Sequence, residues 1–216
     1  MKEVIDTEKL RKGLEEYFVT KYMFQDFSAS VRQQRRQILL KFGVLDKLGL
    51  AGPAESPLLY VKLDISSMES GIYDTDVKLL NDFDFSYISR SYDIRTLMSG
   101  KILAILQRTR LWGTENKEII KGRDYFDLLW FLERGVKPNL ARINDIFGKQ
   151  GTKEALSLEK LVQMLDAKVN LAVTKFKADF KRDLLPFIDN PAVLGDYVDY
   201  YQENYQKLRS NLYPKG

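Results

Sequence analysis

The chain has 216 residues, 44% hydrophobic and 12% aromatic, and its 34 Lys/Arg against 30 Asp/Glu leave a net charge of +4. That is enough apolar material to bury the core of one domain or two small ones. Cysteine and histidine are both absent, which excludes disulfides, zinc and haem sites, thiol chemistry and any mechanism that needs an imidazole.

In chain order, residues 7–22 read as a helix, with Leu10, Leu14, Tyr17 and Phe18 on one face behind an Asp6 or Thr7 cap. Phe24, Phe27 and Val31 fit a strand poorly. Residues 37–45 make a better strand and residues 58–65 the clearest one, separated by a Gly- and Pro-rich loop at 49–57. From residue 93 the pattern turns helical: helices are expected at 93–110, at 124–134 with Gly135 as C-cap, around 138–147, from 157 into the 179 region, and at 191–212. Strands first and helices after argue for an α+β fold. No apolar run reaches the 18 residues of a membrane span, and the start lacks the halves of a signal peptide, so a cytoplasmic protein with no membrane partner is expected.

Positive charge is uneven. Residues 93–123 hold seven Lys/Arg against three Asp/Glu, and residues 32–47 hold a second surplus of four. Such concentrations favour an anionic partner such as nucleotide or RNA, beside the plainer reading of a solvated basic face.

Two segments set charge into apolar helices. Lys101 falls in a stripe of Ile94, Leu97, Met98 and Ile105, with Arg108 one heptad on, and Asp127 lies among Tyr125, Phe126, Leu128, Leu129, Trp130, Phe131 and Leu132. Charges so placed need partners or a ligand, and a cationic helix followed by an acidic one points to one shared polar site. Plainer readings stand beside this one. Lys101 can snorkel to water, Asp124 can be an N-cap, and Asp127 can form a buried salt bridge with Arg123 or Lys101. The aromatics Tyr125, Phe126, Trp130 and Phe131 read as core packing rather than a base-stacking platform, Tyr197, Tyr200, Tyr201 and Tyr205 as packing or interface residues, and Arg32, Arg35 and Arg36 as a solvated hairpin, with nucleic-acid contact as the sharper alternative.

Three features line up in order: Lys62-Leu-Asp-Ile65 ending a strand, Ser99-Gly-Lys-Ile-Leu-Ala104 with Arg108 on a helix, and Lys121-Gly-Arg-Asp-Tyr-Phe-Asp-Leu128 opening another. This series resembles the AbiEii-type nucleotidyltransferase toxin family, a branch of the polymerase-β-like nucleotidyltransferases. The later Lys181-Arg-Asp-Leu-Leu-Pro-Phe-Ile-Asp189 is similar to that family's helical tail. The resemblance implies an incomplete nucleotidyltransferase-like α/β part in residues 1–92 and a helical domain in 93–216. It implies transfer of a nucleotide from an NTP, with Mg²⁺, to an acceptor such as tRNA, in a toxin–antitoxin or phage-defence setting with a cognate antitoxin. Asp64, Lys101 and Asp127 are the implied catalytic residues, with Asp64 the metal ligand. Lys101, Arg108, Arg123 and Asp124 are the implied nucleotide-binding set. Phosphoryl transfer of this kind needs hard oxygen ligands and cations over the phosphates, and no histidine.

One departure stands out. The superfamily carries a Gly-Ser pair followed by Asp-x-Asp upstream of the strand matching Asp64. This chain has no Gly-Ser pair, and its two Asp-x-Asp triplets, Asp74-Thr-Asp76 and Asp82-Phe-Asp84, both follow Asp64. The chain is therefore expected to begin downstream of those motifs. A noncatalytic remnant that binds RNA or a protein partner is the alternative.

Overall fold

The computed structural model describes residues 5–66, 70–83, 85–108, 110–112, 114, 117–152 and 154–213. It has strands at the N-terminal end and helices at the C-terminal end, an α+β fold as expected. The chain divides into two compact units, Met1–Glu69 and Ser70–Gly216.

In the first unit, α1 (Thr7–Glu15) starts on Asp6, whose carboxylate accepts from the Glu8 and Lys9 N–H groups, and runs into a π-helical turn at Glu16–Lys21. Three antiparallel strands follow in the order β1 (Phe27–Arg32), β2 (Gln37–Gly43) and β3 (Leu58–Asp64). Register puts Ile38 opposite Leu63 and Leu40 opposite Val61. Alternation then sends Ile38, Leu40 and Phe42 to one face, where Phe27, Leu14 and Phe18 join them in a small aromatic-rich core. The segment around Phe27 is a full strand because pairing with β2 completes what its own pattern lacks.

In the second unit, β4 (Thr75–Asp82) and β5 (Phe85–Tyr92) form a two-stranded hairpin, which was not among the expected elements. Nearly every residue of it is exposed, including the apolar members of its short alternating stretches, Val77, Leu79, Phe85 and Tyr87. Asp93 then caps α2 (Ile94–Gln107) by accepting from the Thr96 N–H at 2.8 Å. A short hairpin, β6 (Arg110–Trp112) and β7 (Lys117–Ile119), cuts the expected 93–110 helix short. It leads to α3 (Gly122–Glu133) and α4 (Leu140–Lys149), the latter capped by Asn139. The helix expected from 157 to 179 breaks at Phe176 into α5 (Leu158–Lys175) and α6 (Lys177–Leu184). The one expected at 191–212 is α7 (Tyr197–Leu208) between 3₁₀ turns at Pro191–Leu194 and Arg209–Leu212.

The core of this unit gathers Met98, Ile102 and Ile105 from α2, Tyr125, Leu128 and Leu132 from α3, and Leu161 and Leu165 from α5 with Phe180 and Tyr201. Among the described residues, no helix is long and apolar enough to cross a membrane. Tyr201 is fully buried, and its hydroxyl has no hydrogen-bond partner among the described residues. An unsatisfied buried hydroxyl is a cost that its removal relieves. Tyr201→Phe is therefore expected to raise stability by about 1 kcal/mol, read as a higher urea midpoint at unchanged slope; a lower midpoint would mean that the hydroxyl is satisfied after all.

Candidate functional site

The buried face of α2 is Met98, Ser99, Ile102, Leu103 and Ile105, while Ile94 and Leu97 are exposed. Lys101 therefore sits on the flank of the apolar stripe, not within it. From there its ammonium reaches Asp127 at 2.5 Å and Asp124 at 3.4 Å on α3. Arg108, the first residue beyond α2, bends its guanidinium onto the other oxygen of Asp124. Lys101, Arg108, Asp124 and Asp127 thus converge on one cluster within the second unit.

Burial orders the two carboxylates differently from their sequence surroundings. The Asp124 side chain is only 4% exposed, whereas that of Asp127 is 36% exposed. Asp124 is not the N-cap: Lys121 holds that position without a side-chain cap, and Asp124 lies in the first helical turn. A carboxylate there is favoured by the helix dipole, yet its burial requires cations, and two supply them.

Arg123 faces elsewhere. Its backbone N–H and its Nε both donate to one oxygen of Asp183 on α6, at 3.0 and 3.2 Å, and its guanidinium stacks over Phe187 at 4.4 Å. Asp183 thereby serves as the carboxylate cap that α3 lacks in its own sequence. It lies in the tail segment, but no local spacing links it to Arg123, 60 residues earlier.

Two further cations border the cluster. Lys121 and Lys168 line a cavity of ≈ 20 Å³ together with Arg108, Glu118, Asp124 and Tyr125. Burial pushes the Tyr125 hydroxyl up to about 12, and the charges of Asp124 and Glu118 add to this, so it is a neutral donor at neutral pH. Burial also lowers the pKa of Lys121 below 10.5; Asp124 opposes the shift, while Arg108, Arg123 and Lys101 reinforce it. The folded state then binds fewer protons than the unfolded state over the window just below 10.5, so this group adds stability as pH rises through that window. Comparing urea midpoints of the wild type and Lys121→Met from about pH 8 upward should show the wild type gaining on the variant. Parallel curves would mean that the ammonium is fully solvated.

Asp64 ends β3 in the other unit, opposite Gln37, whose amide donates to it at 2.8 Å. It is exposed. Asp74 and Asp76 are also exposed, at the start of β4 and just before it, and Asp84 lies outside the described residues. Among the described residues there is no group of three or more Asp or Glu able to hold a metal ion. One exposed carboxylate already engaged by an amide does not fit a resident Mg²⁺, which is held by carboxylates together with substrate phosphates.

The family model described as nucleotidyl transferase AbiEii toxin, type IV toxin–antitoxin system, matches residues 6–203. No curated protein and no solved structure matches the chain. A match over nearly the whole chain, running through the lysine of α2 and the Arg-Asp-x-x-Asp of α3, places this protein in the AbiEii nucleotidyl transferase toxin family.

Proposed function

We propose that the cluster of Lys101, Arg108 and Lys121 around Asp124 holds the triphosphate of an NTP, and that the protein serves nucleotide transfer to an acceptor such as tRNA. The setting is a bacterial cytoplasm, in toxin–antitoxin or phage-defence action opposed by a cognate antitoxin. The observation that carries this reading is the meeting of Lys101 from α2 and Arg108 just beyond it with a nearly buried carboxylate at the N-terminal turn of α3. Asp124 keeps the cations in place before the nucleotide arrives, which limits the reorganisation that binding requires. The cavity behind Asp124 has room for a water and no more, so phosphates approach from the exposed sides of Lys101 and Arg108. Asp127, on that exposed side, orients Lys101 or the acceptor.

Nucleotidyl transferases generally use a divalent metal. Asp64 by itself is a poor ligand set, so no step is assigned to it; a divalent ion would be held chiefly by the phosphates of the nucleotide. The isolated chain is expected to bind NTP while transferring little of it. Lys101→Ala should weaken NTP binding by about 1–3 kcal/mol, the scale of a lost charged hydrogen bond, and added salt should weaken the wild type. Calorimetric titration with NTP and incubation with labelled NTP, Mg²⁺ and tRNA make the test. Unchanged affinity in Lys101→Ala would overturn the phosphate site.

A second reading rests on Asp64 having no group of carboxylates around it among the described residues: a noncatalytic member of the family that binds RNA or protein through its basic helices. Strong labelling of tRNA that disappears in Asp64→Ala would overturn that reading and assign Asp64 to catalysis.

A further inference from the structure

The face of α3 that carries Phe126, Leu129, Trp130 and Glu133, spaced i, i+3, i+4 and i+7, does not serve the charged cluster. These residues line a groove of ≈ 510 Å³ with Val193, Asp196, Tyr197 and Tyr200 from α7 and the turn before it. That volume suits a small molecule. The walls are aromatic: Phe126 and Tyr197 stack at 6.2 Å and 29°, and Tyr200 follows Tyr197 at 5.9 Å. Trp130 and Tyr200 are 38% and 49% exposed, so their ring surfaces are open to a ligand.

Two carboxylates border these rings, and neither has an ion-pair partner among the described residues. Glu133 is the last residue of α3, where the helix dipole adds further negative potential. Asp196 is the N-cap of α7, yet its side chain makes no capping hydrogen bond. The Tyr197 hydroxyl is pushed up mainly by burial, with Tyr200 and the charges of Glu133 and Asp127 adding to it, which places negative potential at the groove. Trp130 already accepts a cation, since the Arg134 guanidinium lies 3.7 Å from its ring centroid without lining the groove.

Aromatic faces beside unpaired carboxylates attract an organic cation and repel phosphates. A neutral apolar ligand would shield the carboxylates from water without compensating them. We propose that this groove binds a small organic cation, a guanidinium or alkylammonium group carried on an apolar stem, at a site separate from the nucleotide cluster.

The probe is butylguanidinium, set against butylurea, which keeps the shape and removes the charge. Calorimetry on the full chain is paired with tryptophan fluorescence in a Trp112→Phe background, so that Trp130 is the reporter. Butylguanidinium is expected to bind with Kd on the order of 1 mM, as suits a ligand of so few atoms, and at least about tenfold more tightly than butylurea. Glu133→Gln combined with Asp196→Asn should abolish that preference while leaving NTP affinity and melting temperature unchanged. Equal affinity for the two probes, absence of quenching by the cation, or a preference that survives the double variant would each overturn the proposal. Because NTP titration is read on the same variant, failure here is distinguishable from failure of the nucleotide site.

Discussion

Replacing Lys101 and Arg108 together by alanine is expected to destabilise the protein by about 3–5 kcal/mol, the scale seen when a buried charge loses its partners. The two ends of this interaction are not equivalent. Asp124 is 4% exposed and cannot recover hydration, whereas Lys101 and Arg108 are 37% and 43% exposed and can. Removing the carboxylate by Asp124→Asn is therefore expected to cost less, about 1–2 kcal/mol. Adding Asp124→Asn to the double variant should restore part of the lost stability, because the uncompensated charge is then gone. Thermal and urea unfolding of the four proteins form the required cycle. Additive losses with no restoration would show that the cations act through packing and not through the charge of Asp124.

Gly122→Ala is expected to be almost as damaging. A Cβ at this first position of α3 would lie 2.3 Å from the Phe180 carbonyl oxygen and 3.1 Å from that residue's Cα and carbonyl carbon. These are backbone atoms of α6, so no side-chain rotation relieves the overlap. Overpacking of this sort costs about 3 kcal/mol, which for a chain of this size lowers the melting temperature by about 6–12 °C. The displacement also moves Arg123 away from Asp183 and tilts the turn that carries Asp124, so NTP affinity should fall with stability. A variant as stable as the wild type would mean that α3 and α6 do not approach each other this closely. Glycine at this place in the Lys-Gly-Arg-Asp segment is thus explained by helix packing alone.

Much of the helical unit was legible because its signals are local. Asp93, Asn139 and Ser157 each precede a helix and each accept from a backbone N–H of its first turn. The β4–β5 hairpin was missed although Asp76-Val77-Lys78-Leu79 and Phe85-Ser86-Tyr87 alternate; the runs are short, and Leu80 and Ile88 break the period beside them. The break at Phe176 is silent in the pattern: Val169, Val173, Phe176 and Phe180 keep helical spacing across it, and all four are buried. Tyr197, Tyr201 and Tyr205 do pack as their spacing suggested, while Tyr200, Phe126 and Trp130 remain open along the groove.

The candidate site divides in the same way. Periodicity in the sequence alone set Lys101 on a helix and pointed to the acidic residues of the next helix as its partners, because isolated charges among apolar residues must be compensated. Arg108, expected on the same helix face, instead reaches the cluster from extended backbone just beyond the end of α2. Which carboxylate takes the burial was a matter for the tertiary structure. The crossing of α2 over the first turn of α3 selects Asp124 rather than Asp127, although Asp127 has the more apolar neighbours in sequence. The approach of α6 gives Arg123 to Asp183 and leaves no space beside Gly122. Spacing along a chain sets which face a residue occupies; what that face meets depends on how helices distant in sequence pack.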